Sequence, residues 1–299
     1  MRKKLIQPLV ISVFFIILVY IFVQSQLLQT HRVKSVHFTE YSPITDSVLD
    51  FMKSSKTFLY VSALDVSHPT VISYLKELNK NGIDVRILSE RAVTNLPCKI
   101  DTSRGLHHVK FMVNDFGVLF GSANFSFSGL ESGLNDIILF PSNYVPMFKE
   151  FFLNAWEYGK IGKVPGFYVS PIDSTEEMVL SLVQSARKRI WICVYAFTDS
   201  NLMASLKFKE SQKIDVKIIT DRWFRSSPVY KYYKGRVKII TNRMLHHKFM
   251  IVDNTLITGS TNYTESGFHK NVEMIWKTTD SRIVKIYEKM FSDLFYGSW

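Results

Sequence analysis

Cysteine is nearly absent from this chain of 299 residues: Cys98 and Cys193 are the only two, too few for a disulfide framework. With only eight histidines and no C-x-x-C spacing, a finger-type zinc site is excluded as well. Chemistry must therefore come from ordinary polar side chains, with neither a metal site nor a cofactor expected. Acidic residues are also in the minority, 26 against 37 Lys and Arg, which gives a net charge of +11. Setting aside Arg2, Lys3 and Lys4 at the N-terminus lowers this to +8, so the body of the chain stays basic and suits a phosphate-rich partner or simply a basic surface. What is abundant is apolar: 46% hydrophobic and 14% aromatic residues rule out a disordered or fibrous chain.

The run Leu5 to Leu28 carries no charge, and about 20 apolar residues suffice to cross a bilayer as a helix. A cleaved signal peptide competes with this reading, but Val23-Gln24-Ser25 is a poor cleavage site, so an uncleaved anchor over residues 1–30 is expected. Arg2, Lys3 and Lys4 place the N-terminus in the cytoplasm and the catalytic part on the extracytoplasmic side of a single-pass membrane protein.

Beyond that leader the sequence repeats. Phe58 to Ala63, a helical stretch with Val71, Ile72, Leu75 and Leu78, and Asp84 to Leu88 are matched by Ile190 to Tyr195, by Leu202, Met203 and Leu206, and by Asp215 to Ile219. Short, continuous apolar strands around helical segments predict an α/β fold whose sheets are covered by helices. Each half ends in an aromatic-rich amphipathic helix, near Met147 to Tyr158 and near Ile283 to Tyr296, and Gly159, Gly162, Pro165, Gly166 and Pro171 mark the boundary. The expected halves are residues 31–163 and 164–299.

Both halves contain one polar constellation. His108-x-Lys110, Asp115 and Gly121-Ser122-Ala123-Asn124 recur as His246-x-Lys248, Asp253 and Gly259-Ser260-Thr261-Asn262, all offset by 138 positions. Residues two apart on a strand share a face, so each His and Lys project together from a hairpin whose turn holds the Asp. Two such hairpins facing one another would gather two His, two Lys and two Asn at one cleft. Such a set suits phosphodiester cleavage: one imidazole attacks phosphorus, the other protonates the leaving oxygen, and the cations and carboxamides hold the non-bridging oxygens. Either half alone could be a chance arrangement of surface residues, whereas its repetition at equal spacing argues against chance.

These paired motifs resemble the H-x-K-x-x-x-x-D signatures of the phospholipase D superfamily, followed by G-S-x-N. The resemblance extends over essentially the whole chain after the leader. It implies two similar halves, each a mixed sheet flanked by helices, packed about a pseudo-twofold axis, and hydrolysis in two steps through a phosphohistidine. The short halves resemble the small bacterial nucleases of the superfamily, as if such a dimer were fused into one chain. The catalytic unit is then complete in one chain, with no oligomer required. Carried over by residue, His108 and His246 are the nucleophile and acid, Lys110 and Lys248 with Asn124 and Asn262 hold the phosphate, and Asp115 and Asp253 complete the signature while bracing the hairpins. Ser122 and Ser260 are supporting hydroxyls. His107 and His247, out of register, are read as bystanders. One asymmetry stands out: eleven positions beyond the motif Asn there is Glu273 in the second half but Asn135, followed by Asp136, in the first. A carboxylate on an imidazole favours the nucleophile, so Glu273 fits His108 only if it reaches across to the other half.

For the substrate, nucleic acid leads and phospholipid head groups are the alternative; an inactive binding scaffold ranks last because no motif His or Lys is lost. The cluster Arg222, Trp223, Phe224, Arg225, Tyr230, Lys231, Tyr232, Tyr233, Lys234 and Arg236 could form a rim for single strands, could lie at a membrane surface, or could pack in the core. Phe125, Phe127 and Tyr263, which follow the motif asparagines, could wall the cleft, but buried packing is the expectation.

Overall fold

The computed structural model describes residues 32–102, 105–233 and 237–297. The first half runs β1 (Ser35–Phe38), α1 (Thr45–Lys53), β2 (Phe58–Ala63), α2 (Pro69–Lys80), β3 (Asp84–Ser89), β4 (Cys98–Ile100), β5 (Phe111–Asn114), β6 (Gly117–Gly121), β7 (Asp136–Pro141) and α3 (Val145–Tyr158). The second runs β8 (Phe167–Ser170), α4 (Thr175–Gln184), β9 (Arg189–Val194), α5 (Ser200–Ser211), β10 (Asp215–Asp221), α6 (Tyr230–Tyr233), β11 (Lys238–Ile240), β12 (Lys248–Val252), β13 (Thr255–Gly259), α7 (Glu265–His269), β14 (Glu273–Thr278) and α8 (Ser281–Tyr296).

Each half forms one seven-stranded mixed sheet, and the two have the same order: β1-β7-β6-β5-β2-β3-β4, and β8-β14-β13-β12-β9-β10-β11. The β2–β3 and β9–β10 pairs are parallel, joined through α2 and α5, whereas β5 and β6, like β12 and β13, form antiparallel hairpins. Strand β2 is buried along its whole length, which explains its unbroken apolar sequence: both faces of the sheet are covered.

Helical spacing decides which helix covers which face. In α1, Val48, Phe51 and Met52 are buried, and in α2 Val71, Leu75 and Leu78; both stripes pack on the outer face of the first sheet, with Val61, Ile87 and Met112. Helices α4 and α5 cover the second sheet in the same way, through Val179, Val183, Leu202 and Leu206. The inner faces of both sheets share a single core with α3 and α8. There Phe148, Phe152, Phe167, Trp276, Tyr287 and Phe291 are buried together, and the Phe140 and Trp276 rings meet edge to face at 4.9 Å. At about 2 kcal/mol per buried aromatic side chain, this shared layer makes separation of the halves costly. Helix α3 stops at Gly159, whose φ of 63° is the left-handed conformation that glycine adopts without strain.

Two expectations change here. The membrane assignment is corrected: among the described residues no helix is long and apolar enough to cross a membrane, and the expected span, residues 5–28, lies outside them. The basic and aromatic segment after β10 is less of a loop than expected. Residues Arg222–Ser226 form a 3-10 turn and Tyr230–Tyr233 a short helix, with Phe224 and Tyr233 buried, while Lys234 and Arg236 lie outside the described residues. Cys98 and Cys193 are both free thiols, Cys193 buried in β9.

Candidate active site

The segment before each hairpin crosses to the other half. His107 forms a parallel bridge with Val272, and Leu134 one with Leu245. His108 N donates to Val272 O at 2.9 Å, and His246 N donates to Leu134 O at 2.8 Å. This exchange places the residue after Val272, Glu273, and the residue after Leu134, Asn135, against the histidine of the opposite half.

The imidazoles of His108 and His246 face each other across the junction, with ring centroids 6.4 Å apart. Nδ1 of His108 lies 2.8 Å from Glu273 Oε1, and Nδ1 of His246 lies 2.9 Å from Asn135 Oδ1. The Asn135 amide is oriented by its own Nδ2, which donates to Ser128 O at 3.2 Å, so its oxygen accepts from His246. Both rings therefore carry their proton on Nδ1 and leave Nε2 free. Ser260 Oγ donates to Glu273 and accepts from Met274 N at 3.0 Å, whereas Ser122 Oγ donates to Asp136 Oδ1 at 2.9 Å and accepts from Asp136 N at 3.0 Å, with Asn135 Oδ1 farther away at 3.4 Å. The Ser260 hydroxyl thus fixes the carboxylate behind His108, and the Ser122 hydroxyl fixes the one behind His247.

Lys110 and Lys248 are 1% and 2% exposed, and each donates to the carbonyl of its own motif histidine. Burial pulls Lys110 down to about 7 and Lys248 well below its ordinary value. His108 is lowered by burial, with Glu273 opposing, whereas His246 is driven well below 6.5 by burial and by Lys248, Lys110, His108 and His247. Four basic groups held in a small dry volume with one carboxylate repel one another, and a bound anion relieves that repulsion. Asn262 Oδ1 accepts from Ala196 N at 3.4 Å, whereas the buried Oδ1 of Asn124 has no hydrogen-bond partner among the described residues.

Asp115 and Asp253, part of the motif signature and read as braces, lie in the turns at the far ends of β5 and β12. Asp115 accepts from Lys56 N and Thr57 N at 2.8 and 2.9 Å, and Asp253, at φ 50°, from the backbone N–H groups of Arg187, Lys188 and Arg189 at 2.9 to 3.0 Å. They brace the entrances of β2 and β9. His107 and His247 are not bystanders. His247 is fully buried between Asp136 (2.8 Å) and Glu40 (2.5 Å), and these carboxylates raise it to about 9 against the pull of burial, making it an imidazolium under the floor of the site. His107, buried beside Ser62 Oγ at 2.5 Å, is lowered to about 4 and stays neutral. Glu40, which sequence reasoning missed, comes from the turn after β1; nothing in its neighbours announces the contact. Phe125 and Tyr263 are buried as expected, whereas Phe127 is 57% exposed.

Residues 179–295 match the family described as cardiolipin synthase, PLD-like domain. The mitochondrial cardiolipin hydrolase of Xenopus laevis is 32% identical over 129 residues, 41% of this chain and 61% of that protein. The phospholipase D of Rickettsia bellii is 23% identical over 125 residues, 40% of this chain and 62% of that one. The chain thus spans about three fifths of the length of these curated relatives. Among solved structures, the phosphatidylserine synthase of Haemophilus influenzae superposes with a TM-score of 0.65 at 11% identity, over 89% of this chain and 87% of that one, so the two-sheet fold is shared over nearly the full length. With the doubled H-x-K-x-x-x-x-D and G-S-x-N motifs brought to one junction, the chain carries a PLD-like domain over residues 179–295 and resembles the phospholipase D superfamily in fold and motifs.

Proposed function

We propose that the protein is a phosphodiesterase that works through a phosphohistidine on His108. The observation that carries this reading is the opposed pair of imidazoles, 6.4 Å between centroids, each with Nδ1 held by a residue of the other half. Nε2 of His108 attacks phosphorus, and the N–P bond forms as the bond to the leaving oxygen breaks. Glu273 balances the positive charge that appears on the ring. His246, protonated once the bound anion offsets the surrounding cations, gives its Nε2 proton to the leaving alkoxide. Water then attacks the same phosphorus, passing a proton back to His246, and the N–P bond breaks. Lys110 and Lys248, with Asn124 and Asn262, hold the non-bridging oxygens as charge builds. No step calls on a cofactor.

The substrate read first is nucleic acid, supported by the basic chain and by exposed Arg222, Arg225 and Lys231 on the segment that leads to the second motif. Phospholipid is the second reading, favoured by relatives named cardiolipin hydrolase and phospholipase D. The full chain is to be offered radiolabelled single strands and phospholipid vesicles. Cleavage of strands that falls steeply with salt is the expected result, and turnover of vesicle lipid alone would put the second reading first. Quenching with a substrate whose leaving group needs no proton should trap phosphate on His108 in His246→Ala and none in His108→Ala; phosphate on His246 would refute the role assignment.

A further inference from the structure

The two halves differ beside the histidines as well as behind them. Their registers match residue for residue: Ser89 Oγ donates to Leu64 O at 3.2 Å and Thr220 Oγ1 to Tyr195 O at 3.4 Å, so Tyr195 takes the place of Leu64. Glu90 accepts from His107 N, and Asp221 accepts from Leu245 N at 3.1 Å, so Asp221 takes the place of Glu90 and Trp223, two residues on, that of Ala92. By this equivalence the first half has a leucine and an alanine where the second half has a tyrosine and a tryptophan.

Those two rings are built into the site. Tyr195 lies 5.5 Å from the His246 ring, with the Lys248 ammonium 5.4 Å above its face, and Trp223 stacks beside it at 6.3 Å and 28°. Asp221 ties the pieces together, accepting from Trp223 N at 3.0 Å with one oxygen and from Leu245 N, next to His246, with the other. Trp223 is nonetheless 39% exposed, and its neighbour Arg222 is exposed and near enough to act electrostatically on the Tyr195 hydroxyl. A partly exposed indole, one ring removed from His246 and with an exposed guanidinium next to it in sequence, matches a nucleobase and its next phosphate.

We propose that Trp223 and Tyr195 form a nucleobase subsite on the His246 side of the cleft, holding the nucleotide whose oxygen leaves, so that substrate is read on one flank only. This rests on the nucleic-acid reading above and deepens it: His246 protonates the leaving oxygen, so the group departing with that oxygen lies over the aromatic pair, while the phosphoryl half stays on His108, in the half with no ring at the matching positions, Leu64 and Ala92.

The test uses single-stranded oligonucleotides with one abasic residue on either side of a unique scissile phosphate. In the full-length wild-type chain, loss of the base on the leaving side should raise KM about tenfold, the loss expected for one stacked base, and loss on the other side should change it less than twofold. Trp223→Ala should raise KM about tenfold for the intact strand, add nothing for the leaving-side abasic strand, and be largely rescued by Trp223→Phe. Equal KM for intact and leaving-side abasic strands, or a base effect confined to the opposite flank, would overturn the subsite. Should no strand be cleaved while vesicle lipid is, the nucleic-acid reading fails first; a Trp223→Ala defect confined to lipid would then assign the aromatic pair to a different ligand and refute the proposal.

Discussion

Glu273→Gln changes one atom of a buried, hydrogen-bonded side chain and removes the carboxylate that, among the described residues, touches the imidazole proposed as nucleophile. Its oxygen lies 2.8 Å from His108 Nδ1, which puts the two charges about 4 Å apart once His108 becomes cationic in the phosphoenzyme; at an effective dielectric of about 20 that is worth about 4 kcal/mol. At 1.36 kcal/mol per decade, the substitution should slow phosphoenzyme formation by about a thousandfold. The packing should survive, because glutamine is isosteric and can still accept from Ser260. The matched control is Asn135→Ala. It removes a neutral amide 2.9 Å from His246, so only the ring's orientation is lost, and a loss of about tenfold is expected. Single-turnover rapid quench with a labelled diester reads the step directly, with near-ultraviolet circular dichroism to confirm the fold. If Glu273→Gln cost less than tenfold, or if Asn135→Ala cost the more of the two, the assignment of His108 as nucleophile through its partner would be refuted.

Three further outcomes follow from the geometry. Asp253→Ala strips three backbone N–H groups of their acceptor in a partly exposed turn and should cost about 1–2 kcal/mol in urea unfolding, while kcat and KM stay within twofold of the wild type; a large kinetic defect in a well-folded variant would return the aspartate to the chemistry. The pH dependence of stability has two opposed parts. Lys110, lowered to about 7, binds fewer protons folded than unfolded between about 7 and its ordinary 10.5, so stability rises with pH there; His247, raised to about 9, stabilises fully below 6.5 and loses that stability as pH rises through about 9. Thermal melts between pH 7 and 9 should therefore climb more steeply in His247→Asn than in the wild type and less steeply in Lys110→Met, and the reverse order would contradict these charge states. Turnover should survive a chelator, since Lys110 and Lys248 supply the charge that a divalent ion would otherwise bring; loss on chelation with recovery on adding metal would refute this.

Much of the site was legible in the sequence because its rules are local. The motif spacing keeps His108 with Lys110 and His246 with Lys248, although the histidines lie just ahead of β5 and β12 rather than in them, and the apolar runs around Val61 and Ile192 marked the central strands these hairpins pair with. The repeat offset anticipated two sheets of the same strand order, and the stripe of Ile283, Tyr287, Met290 and Leu294 anticipated α8. Burial also followed from apolar character at Phe125 and Tyr263, though not at Phe127.

Sequence alone could not decide which residues meet across the halves. Whether Glu273 serves its own histidine or the opposite one depends on the bridges His107–Val272 and Leu134–Leu245, backbone pairings between segments more than a hundred residues apart that leave no periodic trace. The same holds for Glu40 and His247, whose charge state is set by a carboxylate brought from the turn after β1 into a space closed to water. Asp115 and Asp253 were legible as braces, but their partners, the backbone N–H groups ahead of β2 and β9, come only with the fold. Periodicity records which face a residue takes within its own element. Its partner, and through burial the charge it carries, is decided by the packing of two sheets on one shared core.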